Sequence, residues 1–133
     1  MEMKKILLDT NCYARYLTGD EKVLDVIGMA ETVYLSVIVI GELFAGFKGG
    51  TREQDNKRFL EAFISKLKVE ILEVNIETSE VYAETKNMLK RSGNPIPIND
   101  LWIASQAIEN GIVVVTYDKH FRMIPGLRIW DEL

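Results

Sequence analysis

Residues 111–121 read GIVVVTYDKHF and residues 4–11 read KKILLDTN, and these two stretches decide the class of fold. In the first, residues 112–115 are the clearest buried strand of the chain, an unbroken apolar run rich in valine. Thr116 ends the run, and Asp118 follows at the strand mouth. The second stretch repeats the figure, with the apolar residues 6–8 stopped at Asp9. Packing does not explain carboxylates in such places, because a hydrocarbon side chain there would carry no desolvation penalty. In a sheet of parallel strands the working cleft lies beyond the strands' carboxyl ends. Asp9 and Asp118 then fall on the same side of the molecule.

Outward from these strands, short apolar runs alternate with helical periods. Further strands are expected at 33–35 and 69–72, with a last edge strand at 127–130. Helices are expected at 10–17, 23–30, 36–47, 79–91 and 99–109, the third capped by Ser36. After the break at Gly49-Gly50, Thr51 is expected to cap a long amphipathic helix with Phe59, Leu60, Phe63, Ile64 and Leu67 on one face. Ser92-Gly93-Asn94-Pro95 and Asn110-Gly111 supply turn chemistry. The alternation predicts an α/β fold, a central, mostly parallel β-sheet flanked by α-helices. The 133 residues suit one domain spanning 1–133, without repeats, low-complexity tracts or a linker.

Hydrophobic residues make up 47% and charged residues 27%, the balance of a soluble globular chain. The single cysteine, Cys12, has no partner for an internal disulfide, which fits a reducing cytoplasm. With one histidine in the chain and no evident base beside it, Cys12 reads as a packing residue rather than a nucleophile. Asp9 cuts short the apolar run that follows residues 1–5, so no secretory signal is expected, and no stretch reaches membrane-spanning length. The formal net charge of −4 speaks against a generic nucleic-acid coat protein. Two bound divalent cations would reverse that balance locally, so charge alone decides nothing about a nucleic-acid substrate.

Four acids are the candidate ligands: Asp9, Glu42, Asp100 and Asp118. Drawn into one cleft they would form a hard-oxygen cage for Mg²⁺ or Mn²⁺. Asp9 opens the string DTN, in which Thr10 and Asn11 offer neutral polar groups to orient a ligand; capping of the following helix is the competing role. Glu42 is the lone acid in the apolar segment VIVIGELFAGF, residues 37–47. It sits either on a narrow solvent-facing edge or in a polar cleft. Apolar character around most of that helix exceeds one core face, so part of it should meet another chain. Asp100 follows Asn99, a natural cap, and lies in a first turn where the helix dipole should lower its pKa. Thr116, before Asp118, is a polar support for the site.

Other charged residues have plainer roles. Glu77, Glu80 and Glu84 fit a solvated helix face, and His120 reads as a loop anchor rather than a general base. Lys48, Arg52, Lys57, Arg58, Lys86, Lys90 and Arg91 are either solvated helix charges or, in some subset, phosphate contacts.

The DTN at Asp9, the segment from Ser36 to Glu42 ending in GEL, NDLWIA around Asp100, and the closing TYDKHF…IPGLRIWD occur in order over nearly the whole chain. Together they resemble the PIN-domain nucleases, and most closely the VapC-type toxins of toxin–antitoxin pairs. The chain departs from the common pattern at Tyr117, where many members carry Asn or Arg. The resemblance implies a PIN-like fold and Mg²⁺ or Mn²⁺ held by Asp9, Glu42, Asp100 and Asp118. It also implies sequence-restricted endoribonuclease activity, a homodimer and a cognate antitoxin laid across the cleft. The expected chemistry is hydrolysis by metal-activated water, which needs no histidine pair. The same fold would also suit a non-catalytic RNA- or protein-binding module, or a housekeeping RNA-processing nuclease. A phosphoaspartyl enzyme would use Asp9 as nucleophile with Lys119 in support, and would leave Glu42 without a role.

Overall fold

The computed structural model describes residues 4–130. Residues 1–3 and Asp131, the last residue of the closing motif, lie outside them, as do both ends of the expected 1–133 domain. Among the described residues the order is β1 (Lys5–Leu8), α1 (Thr10–Leu17), α2 (Glu21–Met29), β2 (Thr32–Ser36), α3 (Val37–Lys48), α4 (Glu53–Ile64) and β3 (Val69–Leu72). There follow α5 (Ile76–Ser92), α6 (Ile98–Asn110), β4 (Val113–Val115), a 3-10 turn (Lys119–Met123) and β5 (Ile129–Trp130). The strands form one sheet in the order β3-β2-β1-β4-β5, every pair parallel.

Parallel pairing puts every strand's carboxyl end at one edge of the sheet. The chain runs from β1 outward to β2 and β3, then returns to lay β4 on the other side of β1. The seam between β1 and β4 is thus the point where strand order reverses, where such sheets open a crevice. Register finishes the placement: Leu8 lies opposite Val115, so Asp9 and Thr116 leave the sheet side by side. Ile6, Leu7 and Leu8 on β1, with Val113, Val114 and Val115 on β4, are buried and fix that seam.

The helices are held by local chemistry. Ser36 caps α3 by accepting from the Ile38 N–H at 3.0 Å. Its hydroxyl also donates to the Gln106 amide oxygen, and the Gln106 amide donates to the Leu72 carbonyl at 3.2 Å. This buried chain of hydrogen bonds ties β2, α3 and α6 to the end of β3. Gly93 (φ 73°) and Gly111 (φ 64°) end α5 and α6 in the left-handed conformation that a side chain would resist.

Several boundaries differ from the sequence expectation. Thr51 does not cap α4; Arg52 precedes the helix without a side-chain cap bond, and Glu53 and Asp55 in the first turn oppose the dipole instead. Leu67 lies beyond α4 and is fully exposed. α2 starts two residues early, with Asp20 accepting from the Val23 N–H at 3.1 Å. α5 starts at Ile76, where Asn75 and Thr78 form a reciprocal capping box. Asn99 is not a cap either, because α6 begins one residue earlier behind Pro97.

Candidate active site

Asp9 is the residue between β1 and α1, 5% exposed, and it takes the capping role. One carboxylate oxygen caps α1 by accepting from the Cys12 N–H at 2.8 Å, and the other accepts the Thr116 hydroxyl proton. Burial pushes the Asp9 carboxyl above its ordinary range; the Thr116 and Cys12 hydrogen bonds oppose the shift, and the Asp118 charge adds to it. The Thr116 hydroxyl meanwhile accepts from the Asp118 N–H at 2.9 Å. One buried side chain therefore joins the acid after β1 to the acid after β4.

Asp118 caps the 3-10 turn, and its Oδ1 also lies 2.6 Å from His120 Nδ1. Asp100 sits in the first turn of α6. A ligand oxygen of each of these two acids and a ring nitrogen of His120 all lie within 4.8 Å of one another. Glu42 reaches the same place from α3, half-buried, with Oε1 accepting the Thr10 hydroxyl at 2.6 Å and Oε2 accepting the Asn99 amide at 3.3 Å.

The expected dipole effect on Asp100 is overruled. Its carboxyl is pushed up to about 6, first by burial, then by the charges of Asp118 and Glu42 and, more weakly, Asp9, with His120 pulling the other way. A helix end contributes a fraction of a charge, whereas three neighbouring carboxylates contribute whole ones. Asp118, Glu42 and Asp9 are thus all near enough to Asp100 for their charges to act on it, while the tightest grouping of ligand atoms is that of Asp100, Asp118 and His120.

Thr10 lies in the cluster, on Glu42. Asn11 does not; it is exposed and lines a neighbouring hollow. Cys12 is buried, with its thiol pushed up by burial and by Asp9, the environment of an unreactive side chain. Sequence reasoning underrated two residues. Asn99 was assigned to capping, and the early start of α6 frees its amide for Glu42. His120 does anchor its turn's acid, and it also stands among the ligand atoms; the spacing Asp118-x-His120 in a tight turn was the available signal.

The donor set is chemically specific. It offers hard carboxylate oxygens and one imidazole, with an Asp100 carboxyl raised first by burial and then by the neighbouring carboxylates. Such a set fits a divalent cation of the Mg²⁺ or Mn²⁺ kind.

Residues 6–127 match the PIN domain family, so this parallel sheet with its acid-lined edge belongs to a PIN domain. Within that family the chain belongs with the VapC ribonucleases. It is 34% identical to ribonuclease VapC2 of Rickettsia felis over 112 residues, 82% of each chain. It is 31% identical to ribonuclease VapC1 of Haemophilus influenzae over 103 residues, 77% of this chain and 75% of that one. The structure of VapBC2 from Rickettsia felis bound to a promoter DNA fragment superposes with a TM-score of 0.85 at 27% identity, covering 94% of this chain and 96% of that one. DNA-bound VapBC from Salmonella typhimurium gives 0.84 at 30%, covering 96% and 98%.

Proposed function

We propose that this chain, acting as a single domain in the cytoplasm, is the toxin of a type II toxin–antitoxin pair and cleaves RNA by metal-dependent hydrolysis. The observation that carries the reading is the convergence of Asp9, Glu42, Asp100 and Asp118 at the switch point of the sheet. Asp9, Asp100 and Asp118 would hold Mg²⁺ or Mn²⁺, with Glu42 binding directly or through water. When bound, the cation supplies a water ionised near neutral pH and positive charge facing the phosphate oxygens. Thr116 orients Asp9 and the Asp118 backbone, while Thr10 and Asn99 hold Glu42. In the hydrolysis the water oxygen joins phosphorus and the P–O3′ bond breaks, leaving a 5′-phosphate and a 3′-hydroxyl.

The antitoxin would dock over an apolar hollow among the first four helices. Between α1, α2, α3 and α4 lies a hollow of about 720 Å³ lined by Tyr16, Leu17, Leu24, Phe47 and Phe59, among others. Tyr13 is at its floor, fully buried, its hydroxyl without a hydrogen-bond partner among the described residues. An apolar segment of the partner would cover this surface. Val37, Gly41 and Phe44, at helical spacing on α3, supply an apolar face for a homodimer.

The test is cleavage of a mixed cellular RNA pool by wild type and Asp9→Asn, with Mg²⁺, Mn²⁺ or EDTA. Discrete cuts bearing 5′-phosphates, lost in EDTA and in the variant, are expected. A 2′,3′-cyclic phosphate, or equal activity in the variant, would overturn the mechanism.

A further inference from the structure

Beside the acids lies a second hollow, of about 490 Å³, lined by Asn11, Ala14, Arg15, Thr18 and Tyr117. Tyr117, which lines it, is the residue between Thr116 and Asp118 in the chain. Arg15 lies over the Tyr117 ring, the guanidinium carbon 4.3 Å from its centroid. The Tyr117 hydroxyl donates to Asp20 Oδ2 at 2.7 Å, and an Arg15 nitrogen stands 3.6 Å from the same oxygen.

Arg15 sits in the last turn of α1, where any cation is favoured by the helix dipole. That accounts for its charge and not for its setting. Asp20 is already engaged by Tyr117 and by the Val23 N–H, so its contact with Arg15 is the loosest of the three. The Arg15 side chain remains 54% exposed, with its guanidinium over the Tyr117 ring. Of the other cations the sequence offered for a phosphate backbone, Lys48 and Lys57 pair with Glu53, Arg52 and Arg58 pair with Asp55, and Lys86 lies over the Tyr82 ring, while Lys90 and Arg91 stand in the last turn of α5. A polyanionic strand approaching four carboxylates requires a cation close by. A planar guanidinium matches the oxygens of a phosphate better than a mobile ammonium would.

We infer that Arg15, held over the Tyr117 ring, is a substrate-positioning residue that grips an RNA phosphate adjacent to the scissile one. The inference rests on the ribonuclease reading above.

The experiment measures kcat and KM over a range of salt for a single-stranded RNA containing a site mapped in the pool digest. Arg15→Ala, at an exposed position, should raise KM by about tenfold with kcat within about twofold, and flatten the log KM against log salt slope by about 0.7, the loss of one single-strand phosphate contact. Arg15→Lys should keep the slope while losing part of the affinity. Asp20→Asn keeps an N-cap for α2 and removes the competing charge, so it should lower KM. A KM and salt slope unchanged in Arg15→Ala would overturn the inference while leaving metal-dependent cleavage standing, even if that variant bound the antitoxin more weakly. A rise of KM in Asp20→Asn matching that of Arg15→Ala would overturn it too, by making the pair a structural brace. Wild type that fails to cut RNA would remove the ribonuclease reading and this inference together.

Discussion

The Thr116 hydroxyl gives its proton to Asp9 and receives one from the Asp118 backbone, so a single atom sets two acids from two strands. Thr116→Val keeps the shape and deletes both bonds. The Asp9 carboxyl should then rise further, since that hydrogen bond opposes its upward shift. Mn²⁺ affinity should fall by at least about tenfold in a calorimetric titration, as it does when a ligand loses its orienting partner, and Thr116→Ser should restore most of it. Asp100 makes a separate prediction about pH. Folded, it titrates at about 6, whereas an unfolded Asp titrates near about 4. Between those values the folded chain binds more protons, so this group's contribution to stability is full below about pH 4 and is lost as pH rises through about 6. Metal-free protein should therefore melt at a lower temperature near pH 7 than near pH 5, and Asp100→Asn should flatten the difference. Asp9 acts in the same direction.

At the scale of elements, Ser36, Gln106 and the Leu72 carbonyl position the helix that carries Glu42. Gln106→Leu leaves a buried hydroxyl and a backbone carbonyl without their partner. It should cost about 1–3 kcal/mol in urea unfolding, more than a surface substitution on the same helix. Cleavage should weaken with it if α3 shifts. The Ser36 cap was legible in the sequence, because serine before an apolar helical run has few other uses. Gln106 was not: its partners lie on β2 and β3, 70 and 34 residues away, and no local pattern announces them. Asn99 failed for a related reason. Capping is a local rule, and the rigid Pro97 moved the start of α6 by one residue and redirected that amide to Glu42. The 3-10 turn after Asp118 lacks the periodicity by which longer helices declare themselves.

For the whole molecule, the decisive fact is strand order. Asp9 and Asp118 were recognisable singly as carboxylates ending apolar runs, Glu42 as a lone acid in an apolar helix and Asp100 as an acid at a helix start, and the parallel α/β class followed from alternation. That β4 returns to the side of β1, setting Asp9 beside Thr116 and Asp118, is a property of the sheet and of no single segment. Tyr117 shows the same limit. Its place between two site residues was plain, while its tie to Asp20 and Arg15 needed the fold. The central claim is that four carboxylates from separate elements form one cation-holding centre. The most direct test is calorimetric titration of the metal-free protein with Mn²⁺ near pH 6, in two buffers of different ionisation enthalpy. At that pH about half of Asp100 carries a proton, so binding should expel at least about half a proton per site, and Asp100→Asn should lose both the release and most of the affinity. Absence of Mn²⁺ binding, or binding with no proton released, would contradict the account.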